Sequence, residues 1–109
     1  MANLPTRIVL PASAKKGDIV EIKTLVQHVM EPGYRRDNEG RAVPRDIVAT
    51  FAVTYGGVEV FKCDLQPGTA ANPYIAFSTI ATETGELVFT WTDEKGNATR
   101  ETRKLTVSG

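Results

Sequence analysis

The fold is decided by the stretch IVATFAVTYGGVEVFKCDL, which spans residues 47–65. Two apolar runs surround the pair Gly56-Gly57, and glycine adopts the positive φ angles of a two-residue hairpin turn without a Cβ clash. Apolar residues alternate along both runs, which turns Phe51 of the first run and Phe61 of the second run inward. The stretch therefore predicts a central β-hairpin on which the other strands assemble.

Alternating apolar runs on both sides of this hairpin predict further strands. These strands cover residues 6–10, 19–29, 74–82, 86–92 and 98–107. A short turn is predicted from Ala14 to Asp18, and the loop before the strand at residue 74 is predicted to turn at Pro67-Gly68. The only cysteine is Cys63, so an internal disulfide is impossible. We therefore predict an all-β fold: an immunoglobulin-like β-sandwich of about seven antiparallel strands, without a disulfide, in one domain over residues 1–109.

The charges of the chain balance, with 13 lysines and arginines against 13 aspartates and glutamates. No overall field therefore attracts nucleic acid or an anionic membrane surface. No apolar run approaches the roughly 20 residues of a membrane-spanning helix. Residues 1–7 lack the basic start and the apolar core of a secretory signal peptide, which taken alone predicts a cytoplasmic protein.

The central strands carry almost no charge on either face. With Phe51, Phe89 and Trp91 turned inward, the alternation predicts an outward set composed of valine, alanine and threonine. These outward residues are Val48, Thr50, Ala52, Thr54, Val58, Val60, Val88, Thr90 and Thr92. A solvated antiparallel face usually carries charges, whereas an uncharged face is typical of a surface that a protein partner covers. The alternative is that valine and threonine occur there only because they are good strand formers.

Candidate catalytic and metal-binding residues are few. His28 is the only histidine, so a zinc site would need Cys63 and carboxylates as its other ligands, and no cluster with ligand spacing exists. A Cys63–His28 pair could in principle act as nucleophile and base. However, Cys63 alternates in phase with Phe61 and Leu65, which predicts a buried and inert thiol. We predict a structural role for the histidine at a strand end, no catalytic residue, no metal site and no cofactor.

The polar segment 31–46 interrupts the strands and contains several turn-forming residues. A loop of this length in a compact domain is usually functional or mobile. It sets Arg35 and Arg36 beside Tyr34, and arginine and tyrosine are frequent anchors of protein interfaces. Its four acidic residues cancel most of the field that a phosphate backbone needs, so the segment predicts a protein-docking loop rather than a nucleic-acid site. A solvated loop without a partner is the alternative.

Two blocks of sequence carry a resemblance to a known family. They are Met30-Glu31-Pro32-Gly33-Tyr34-Arg35-Arg36 and Asn72-Pro73-Tyr74, accompanied by Pro44-Arg45-Asp46 and Phe89-Thr90-Trp91-Thr92-Asp93. With these residues the chain, from Arg7 to its C-terminus, resembles the SoxZ family of bacterial sulfur-oxidation proteins. Three positions depart from the family pattern: Pro32 replaces threonine or serine, Gly56 replaces the asparagine expected before Gly57, and Cys63 replaces a small residue.

The resemblance implies a non-catalytic, immunoglobulin-like subunit that forms a heterodimer with SoxY. In that pair SoxY carries thiosulfate-derived sulfur on a cysteine of its flexible C-terminal arm, while the SoxZ-like subunit stabilises SoxY and helps other Sox enzymes to dock transiently. The resemblance also implies a periplasmic location without a signal peptide of its own, reached by co-export with SoxY, which replaces the cytoplasmic expectation. The residues expected to bind partners are Met30, Tyr34, Arg35, Arg36, Pro44, Arg45, Val48, Val58, Val60, Asn72, Pro73 and Tyr74.

Two other interpretations remain open. The first is a free-standing β-sandwich module that binds a small ligand or a glycan, and a stable monomer would favour it. The second is a thiol enzyme built on Cys63, which loss of sulfur oxidation in a Cys63→Ser variant would favour.

Overall fold

The computed structural model describes residues 4–66 and 69–109, and these residues form strands without a helix. The strands are β1 (Thr6–Val9), β2 (Ser13–Lys15), β3 (Ile19–Val26), β4 (Val48–Tyr55), β5 (Val58–Asp64), β6 (Tyr74–Ile80), β7 (Gly85–Asp93) and β8 (Ala98–Ser108). The predicted all-β class is confirmed. The sequence did not predict β2, which overlaps the expected turn, because three residues are too few to display a period-two pattern. The turn predicted at Pro67-Gly68 lies outside the described residues.

The strands form two sheets that pack face to face. One sheet has three strands in the order β1-β3-β6, and the other has five in the order β2-β8-β7-β4-β5. The described pairs are antiparallel except β2 and β8, which run parallel. The predicted immunoglobulin-like sandwich is confirmed, and it has eight described strands and one parallel pair instead of about seven antiparallel strands. In the described part of the chain, no helix has the length and apolar character needed to cross a membrane.

β4 and β5 form the predicted hairpin. Gly56 and Gly57 have φ angles of 58° and 84°, the left-handed values that the central residues of a type I′ turn require. Tyr55 and Val58 pair across this turn. The Tyr55 hydroxyl donates to the carbonyl oxygen of Glu83 and accepts a hydrogen bond from the N–H group of the same residue (3.2 Å). The hairpin is thus tied to the connection between β6 and β7.

Aliphatic and aromatic side chains fill the space between the sheets. The rings of Phe51 and Trp91 have centroids 4.9 Å apart, and Phe61 of β5 stacks on Phe77 of the opposite sheet at 4.6 Å. The fully buried residues include Val20, Ile22, Val26, Ile47, Phe51, Val53, Leu87, Phe89, Trp91 and Leu105. Each buried large apolar side chain contributes about 1.5–3 kcal/mol, so this core stabilises the sandwich without a disulfide. The predicted inward orientation of the central aromatic residues is confirmed.

An irregularity interrupts the alternation of β4 at its start. The register of β4 against β7 shifts between Val48 and Thr50, which leaves Ala49 as an extra residue. The side chain of Val48 consequently turns into the core, where it is only 1% exposed. The predicted outward orientation of Val48 is therefore wrong.

A second bulge lies in β5. Val60 has no partner on β4, because the register passes directly from Phe61 to Glu59. Val60 packs against the core, and Val58 stands opposite the buried Tyr55, although it is 65% exposed at the open side of the sandwich. Because a bulge reverses the alternation beyond it, the predicted placement of Val58 and Val60 on the outward face is wrong.

Candidate functional site

The outer face of the five-stranded sheet has an uncharged centre. Its residues come from β4 and β7, where Ala52 stands opposite Thr90 and Thr54 stands opposite Val88. We call this surface the neutral face; it consists of Thr50, Ala52, Thr54, Val88, Thr90 and Thr92, all half-buried in the chain alone. These six residues of the predicted outward set do face outward.

Charged side chains border the neutral face on both sides. On the β8 side they are Arg100 and Lys104, and on the β5 side they are Glu59, Lys62 and Asp64. A centre without charge inside a polar rim is the usual anatomy of a protein–protein interface. The arrangement therefore offers a site for another polypeptide rather than for a small molecule.

The connection from β3 to β4 is an ordered loop, residues 27–47, which we call the β3–β4 loop. Glu31 and Asp46 exchange two backbone hydrogen bonds of 2.8 Å, so the two arms of the loop lie side by side. Near the tip, Oδ1 of Asp37 accepts a hydrogen bond from the N–H group of Arg41 (3.0 Å). The predicted docking loop thus has a defined shape.

Two arginine–glutamate pairs fix this loop. Nε of Arg45 donates to Oε1 of Glu94 at 2.7 Å, and Nη2 of the same arginine donates to Oε2. The hydrogen bond that Arg45 donates to Glu94 raises the pKa of Arg45 above its ordinary value. Nε of Arg35 donates to Oε1 of Glu31 at 2.9 Å. Gly33, with a φ angle of 88°, packs so closely that an added Cβ would lie 3.0 Å from Cβ of Arg45.

The segment before β6 is joined to the β3–β4 loop through His28 and Asn72. The N–H group of His28 donates to Oδ1 of Asn72 (2.9 Å), and the N–H group of Asn72 donates to the carbonyl oxygen of His28 (2.7 Å). Nδ1 of His28 accepts the N–H group of Met30 (2.9 Å), so the ring proton lies on Nε2, 3.3 Å from Oδ1 of Asp46. The two sequence blocks that carry the family resemblance therefore meet at one end of the sandwich, which we call the loop end.

Two residues at this joint have left-handed backbone conformations. Met30 has a φ angle of 51° and Asn72 has a φ angle of 52°. Asparagine tolerates this region, but methionine adopts it only at a cost in free energy that its surroundings must offset. The sulfur of Met30 accepts the N–H group of Val48 at 3.3 Å, inside the core. Strain that is held by such contacts is concentrated at functional sites.

The structure divides the predicted partner-binding residues into three groups. The exposed residues of the loop end are Tyr34, Arg35, Arg36, Pro44, Arg45, Asn72 and Tyr74. Val58 and Val60 lie at the open side of the sandwich, away from the neutral face. Met30, Val48 and Pro73 are buried, so their side chains support the surface and are closed to direct contact with a partner.

The Cys63 thiol is not arranged for catalysis with His28. Cys63 is half-buried opposite Phe51, and burial, assisted by the charge of Asp64, raises the pKa of its thiol. Both ring nitrogens of His28 already face other groups, the N–H group of Met30 and the carboxylate of Asp46. Among residues 4–66 and 69–109, no three histidines, cysteines or carboxylates are grouped so that they could hold a metal ion.

Reasoning from the sequence missed the residues that hold the loop end together. Glu94 lies in the turn between β7 and β8, 49 residues from Arg45. Nothing in the sequence around Glu94 indicates its ion pair with Arg45. Asp46 was counted only as one of several charges of the loop, whereas its backbone and carboxylate bind both Glu31 and His28. A charge pair formed by tertiary packing has no signal in sequence spacing.

Fold and surface together define a class of protein: an immunoglobulin-like β-sandwich whose candidate site is a surface for other polypeptides. The model of the family described as "Sulphur oxidation protein SoxZ" matches residues 7–104, nearly the whole chain. The chain belongs to the SoxZ family. No curated protein sequence matches it.

Solved structures with the same fold have low sequence identity to the chain. The sulfur carrier protein SoxY from Chlorobium limicola f thiosulfatophilum is 17% identical, with a TM-score of 0.65 over 94% of this chain and 74% of that chain. The superoxide reductase (neelaredoxin) from Ignicoccus hospitalis is 14% identical, with a TM-score of 0.69 over 94% of this chain and 80% of that chain. A putative superoxide reductase from Thermotoga maritima is 15% identical, with a TM-score of 0.68 over 95% and 86%. These likenesses establish the fold alone.

Membership of the SoxZ family gives the chain a role in the Sox sulfur-oxidation carrier complex, as a non-catalytic subunit whose partner is SoxY. The resemblance that the sequence blocks predicted is thereby confirmed.

Proposed function

We propose that the chain is the scaffold subunit of a SoxYZ heterodimer and that its neutral face lies against SoxY and keeps SoxY folded. The observation that carries this proposal is the absence of charge from the six residues of the neutral face, which lie between the charged residues of β5 and β8, with Glu86 of β7 at one end. Covering this face removes threonine methyls, valine and alanine from water without desolvating a charge.

The outer face of the other sheet supports the choice of the neutral face. There the central strand, β3, carries Glu21 and Lys23, whose side chains are largely exposed. Nζ of Lys23 lies 3.6 Å from Oε1 of Glu21. This is the pattern of a solvated antiparallel face. In the part of the chain that the structure describes, the two sheets therefore differ at the centres of their outer faces: the three-stranded sheet carries charge on its central strand, and the neutral face of the five-stranded sheet carries none.

In this proposal the chemistry belongs to SoxY. The family resemblance implies that a cysteine on the C-terminal arm of SoxY carries thiosulfate-derived sulfur between Sox enzymes. The present chain contributes no reacting group to that cycle, since Cys63 is half-buried and its thiol pKa is raised by burial. Its contribution is the stability of the pair and the shape of the surface that the enzymes meet.

The loop end is proposed as the transient docking surface for those enzymes. Tyr34 is 81% exposed, and Tyr74 is 59% exposed at the start of β6. Arg36, two residues after Tyr34, donates to the carbonyl oxygen of Gly40 (2.9 Å), which holds its side chain at the tip of the β3–β4 loop. Aromatic and arginine side chains on a pre-shaped loop are suited to repeated, reversible contacts.

We also propose that the heterodimer works in the periplasm and that the chain is exported there while folded on SoxY. Cell fractionation tests this: the chain should appear in the periplasmic fraction when SoxY is co-expressed and should stay in the cytoplasm when SoxY is deleted. Periplasmic accumulation without SoxY would contradict co-export.

Co-expression with SoxY tests the proposed function. The two chains should co-purify as a 1:1 pair that elutes as one peak, and the present chain expressed alone should be poorly soluble or self-associated. SoxY expressed alone should unfold at a lower temperature than SoxY in the pair. A monodisperse and stable monomer that does not bind SoxY would contradict the proposal and favour a free-standing binding module.

A further inference from the structure

A cavity of about 330 Å³ lies at the loop end of the sandwich, and the proposed function does not use it. Leu4, Val48 and Trp91 contribute to the apolar part of its wall, and polar residues of the β3–β4 loop and of the turn between β7 and β8 form the rest. A concave site of this size, apolar with a few polar groups, is typical of sites for small organic molecules.

Trp91 brings a hydrogen-bond donor without an acceptor to this wall. Its side chain is only 1% exposed, and among residues 4–66 and 69–109 its Nε1 is the only fully buried side-chain nitrogen or oxygen that lacks a hydrogen-bond partner. The rings of Phe51 and Phe89 pack beside the indole with centroids 4.9 and 6.4 Å away, and neither ring offers an acceptor. A buried donor without a partner destabilises the fold, so an occupant of the cavity that supplies an acceptor gains affinity from this N–H group.

The charges of the wall limit what can bind in the cavity. Two carboxylates, those of Asp46 and Asp93, line it, and none of the described lining residues is a lysine or an arginine. Both carboxylates are held in place: Oδ1 of Asp46 lies 3.3 Å from Nε2 of His28, and Oδ1 of Asp93 accepts the N–H group of Asn97 (2.8 Å). Like charges repel, so the wall disfavours an anion such as thiosulfate. The acceptor that reaches Trp91 therefore belongs to an uncharged group.

We propose that this cavity binds a small neutral organic molecule with an apolar body and one hydroxyl or carbonyl oxygen, and that this oxygen accepts a hydrogen bond from Nε1 of Trp91. A water molecule is a poorer occupant, because a buried water usually makes about three hydrogen bonds. Polar neighbours are already engaged: Oγ1 of Thr99 accepts the N–H group of Leu4 (3.1 Å), and Nδ1 of His28 accepts that of Met30 (2.9 Å).

The cavity is separate from the neutral face. Trp91 points into the sandwich, whereas its neighbours Thr90 and Thr92 belong to the neutral face on the other side of β7. A partner that covers the neutral face therefore does not fill the cavity, and ligand binding there is a property beyond the proposed function.

Three probes of similar size test the site. Trp91 is the only tryptophan of the chain, so its N–H group gives a single indole signal in the NMR spectrum of a pair with SoxY in which this chain alone carries the isotope label. Benzyl alcohol should shift that signal with a dissociation constant of about 1 mM, the affinity of a good fragment-sized ligand. Toluene lacks the acceptor and benzoate carries a charge, so each should bind more weakly by about tenfold or more.

Two kinds of variant separate the parts of the site. Trp91→Phe keeps an aromatic ring but removes the donor, so the preference for benzyl alcohol over toluene, measured by ligand-detected NMR, should disappear. Asp46→Asn removes one of the two charges, so benzoate should bind severalfold more tightly. Asp18→Asn, in the turn before β3 and outside the cavity, is the matched control and should leave benzoate binding unchanged.

Each contrary outcome overturns the ligand site. Such outcomes are an indole signal that benzyl alcohol leaves in place, as it would if the cavity held only water, equal binding of the three probes, or a Trp91→Phe variant that keeps the preference for benzyl alcohol. Failure to form a pair with SoxY counts only against the proposed function, and the same titration of the chain alone then decides whether the cavity binds the probe.

Discussion

The neutral face and the loop end present opposite chemistry to a partner. The neutral face has no charge and rests on the ladder of β4 and β7, which is regular from Thr50 to Tyr55. The loop end has two arginine–glutamate pairs and two residues with positive φ angles, Met30 and Asn72. An uncharged face can stay covered permanently because no ion must be desolvated, whereas charged loops steer reversible encounters that salt weakens. The molecule thus has one surface suited to permanent assembly and another suited to reversible binding.

A charge placed at the centre of the neutral face should produce the largest effect. Val88→Glu, opposite Thr54 and Thr102, buries an unpaired carboxylate under SoxY and should weaken the heterodimer by about 3–5 kcal/mol. Ser78→Glu, on the exposed outer side of β6, is the matched control and should bind SoxY normally. Titration calorimetry or co-purification measures both. Equal loss of binding in the two variants would remove the distinction between the two sheets.

A methyl group at Gly33 should disturb the loop end alone. Gly33→Ala strains a φ angle of 88° and drives a Cβ to 3.0 Å from Cβ of Arg45, so it should destabilise the fold by about 2–3 kcal/mol. Gly40→Ala has a similar φ angle of 79° but open space around it, and should cost about 1 kcal/mol. Urea unfolding measures both variants. Equal destabilisation would mean that the packing of the loop against Arg45 contributes nothing.

The turn that supports the loop end should be sensitive to acid. Burial alone would raise the pKa of Asp93, but hydrogen bonds from Asn97 and from the N–H group of Lys95 outweigh it and lower that pKa. The ionised carboxylate therefore stabilises the fold above its unfolded-state pKa of about 3.9, and this contribution disappears as the pH falls through the lowered folded-state pKa.

At pH 7, Asp93→Ala should accordingly lose about 1–2 kcal/mol of stability. The difference from the unmodified chain should shrink progressively when urea unfolding is repeated below pH 4. A difference that is constant between pH 7 and pH 3 would show that the charge of Asp93 plays no part.

Loss of the charge at Glu94 should have the smallest effect. Glu94→Gln removes the ion pair with Arg45 at a half-exposed site, where solvent screening leaves such pairs little net stabilisation, so the loss should be smaller than that of Gly40→Ala. As salt rises from about 0.1 to about 1 M, the Debye length shrinks from about 10 to about 3 Å, so the stability of the unmodified chain should fall slightly more than that of the variant. Binding of SoxY through the neutral face should be insensitive to this substitution.

Local chemistry accounts for the part of the fold that could be predicted. The glycine pair specified the hairpin between β4 and β5, and alternation identified the buried aromatic residues, because both signals act within one or two strands. The bulges at Ala49 and Val60 could not be predicted, since the register that creates them is set by hydrogen bonds to neighbouring strands. Every error about which side chains face outward lies next to one of these two bulges.

The candidate site, like the fold, could be predicted only where local sequence determines it. The neutral face followed from composition and alternation, except where the bulges turned Val48, Val58 and Val60 away from it. The resemblance indicated both blocks of the loop end, but the joint between His28 and Asn72 spans 44 residues and appears only when the chain is folded. Long-range pairing of polar groups is a property of the packed molecule rather than of any segment.

The reactivity of a thiol at the centre of the neutral face tests most directly whether SoxY covers it. Thr90→Cys and Ser78→Cys are each made in a Cys63→Ser background, and maleimide labelling of this chain within the pair is followed by mass spectrometry. If SoxY covers the neutral face, the thiol at position 90 labels slowly in the native pair and rapidly after denaturation, while the thiol at position 78 labels rapidly in both. Rapid labelling at position 90 in the native pair would contradict the assignment of that face to SoxY.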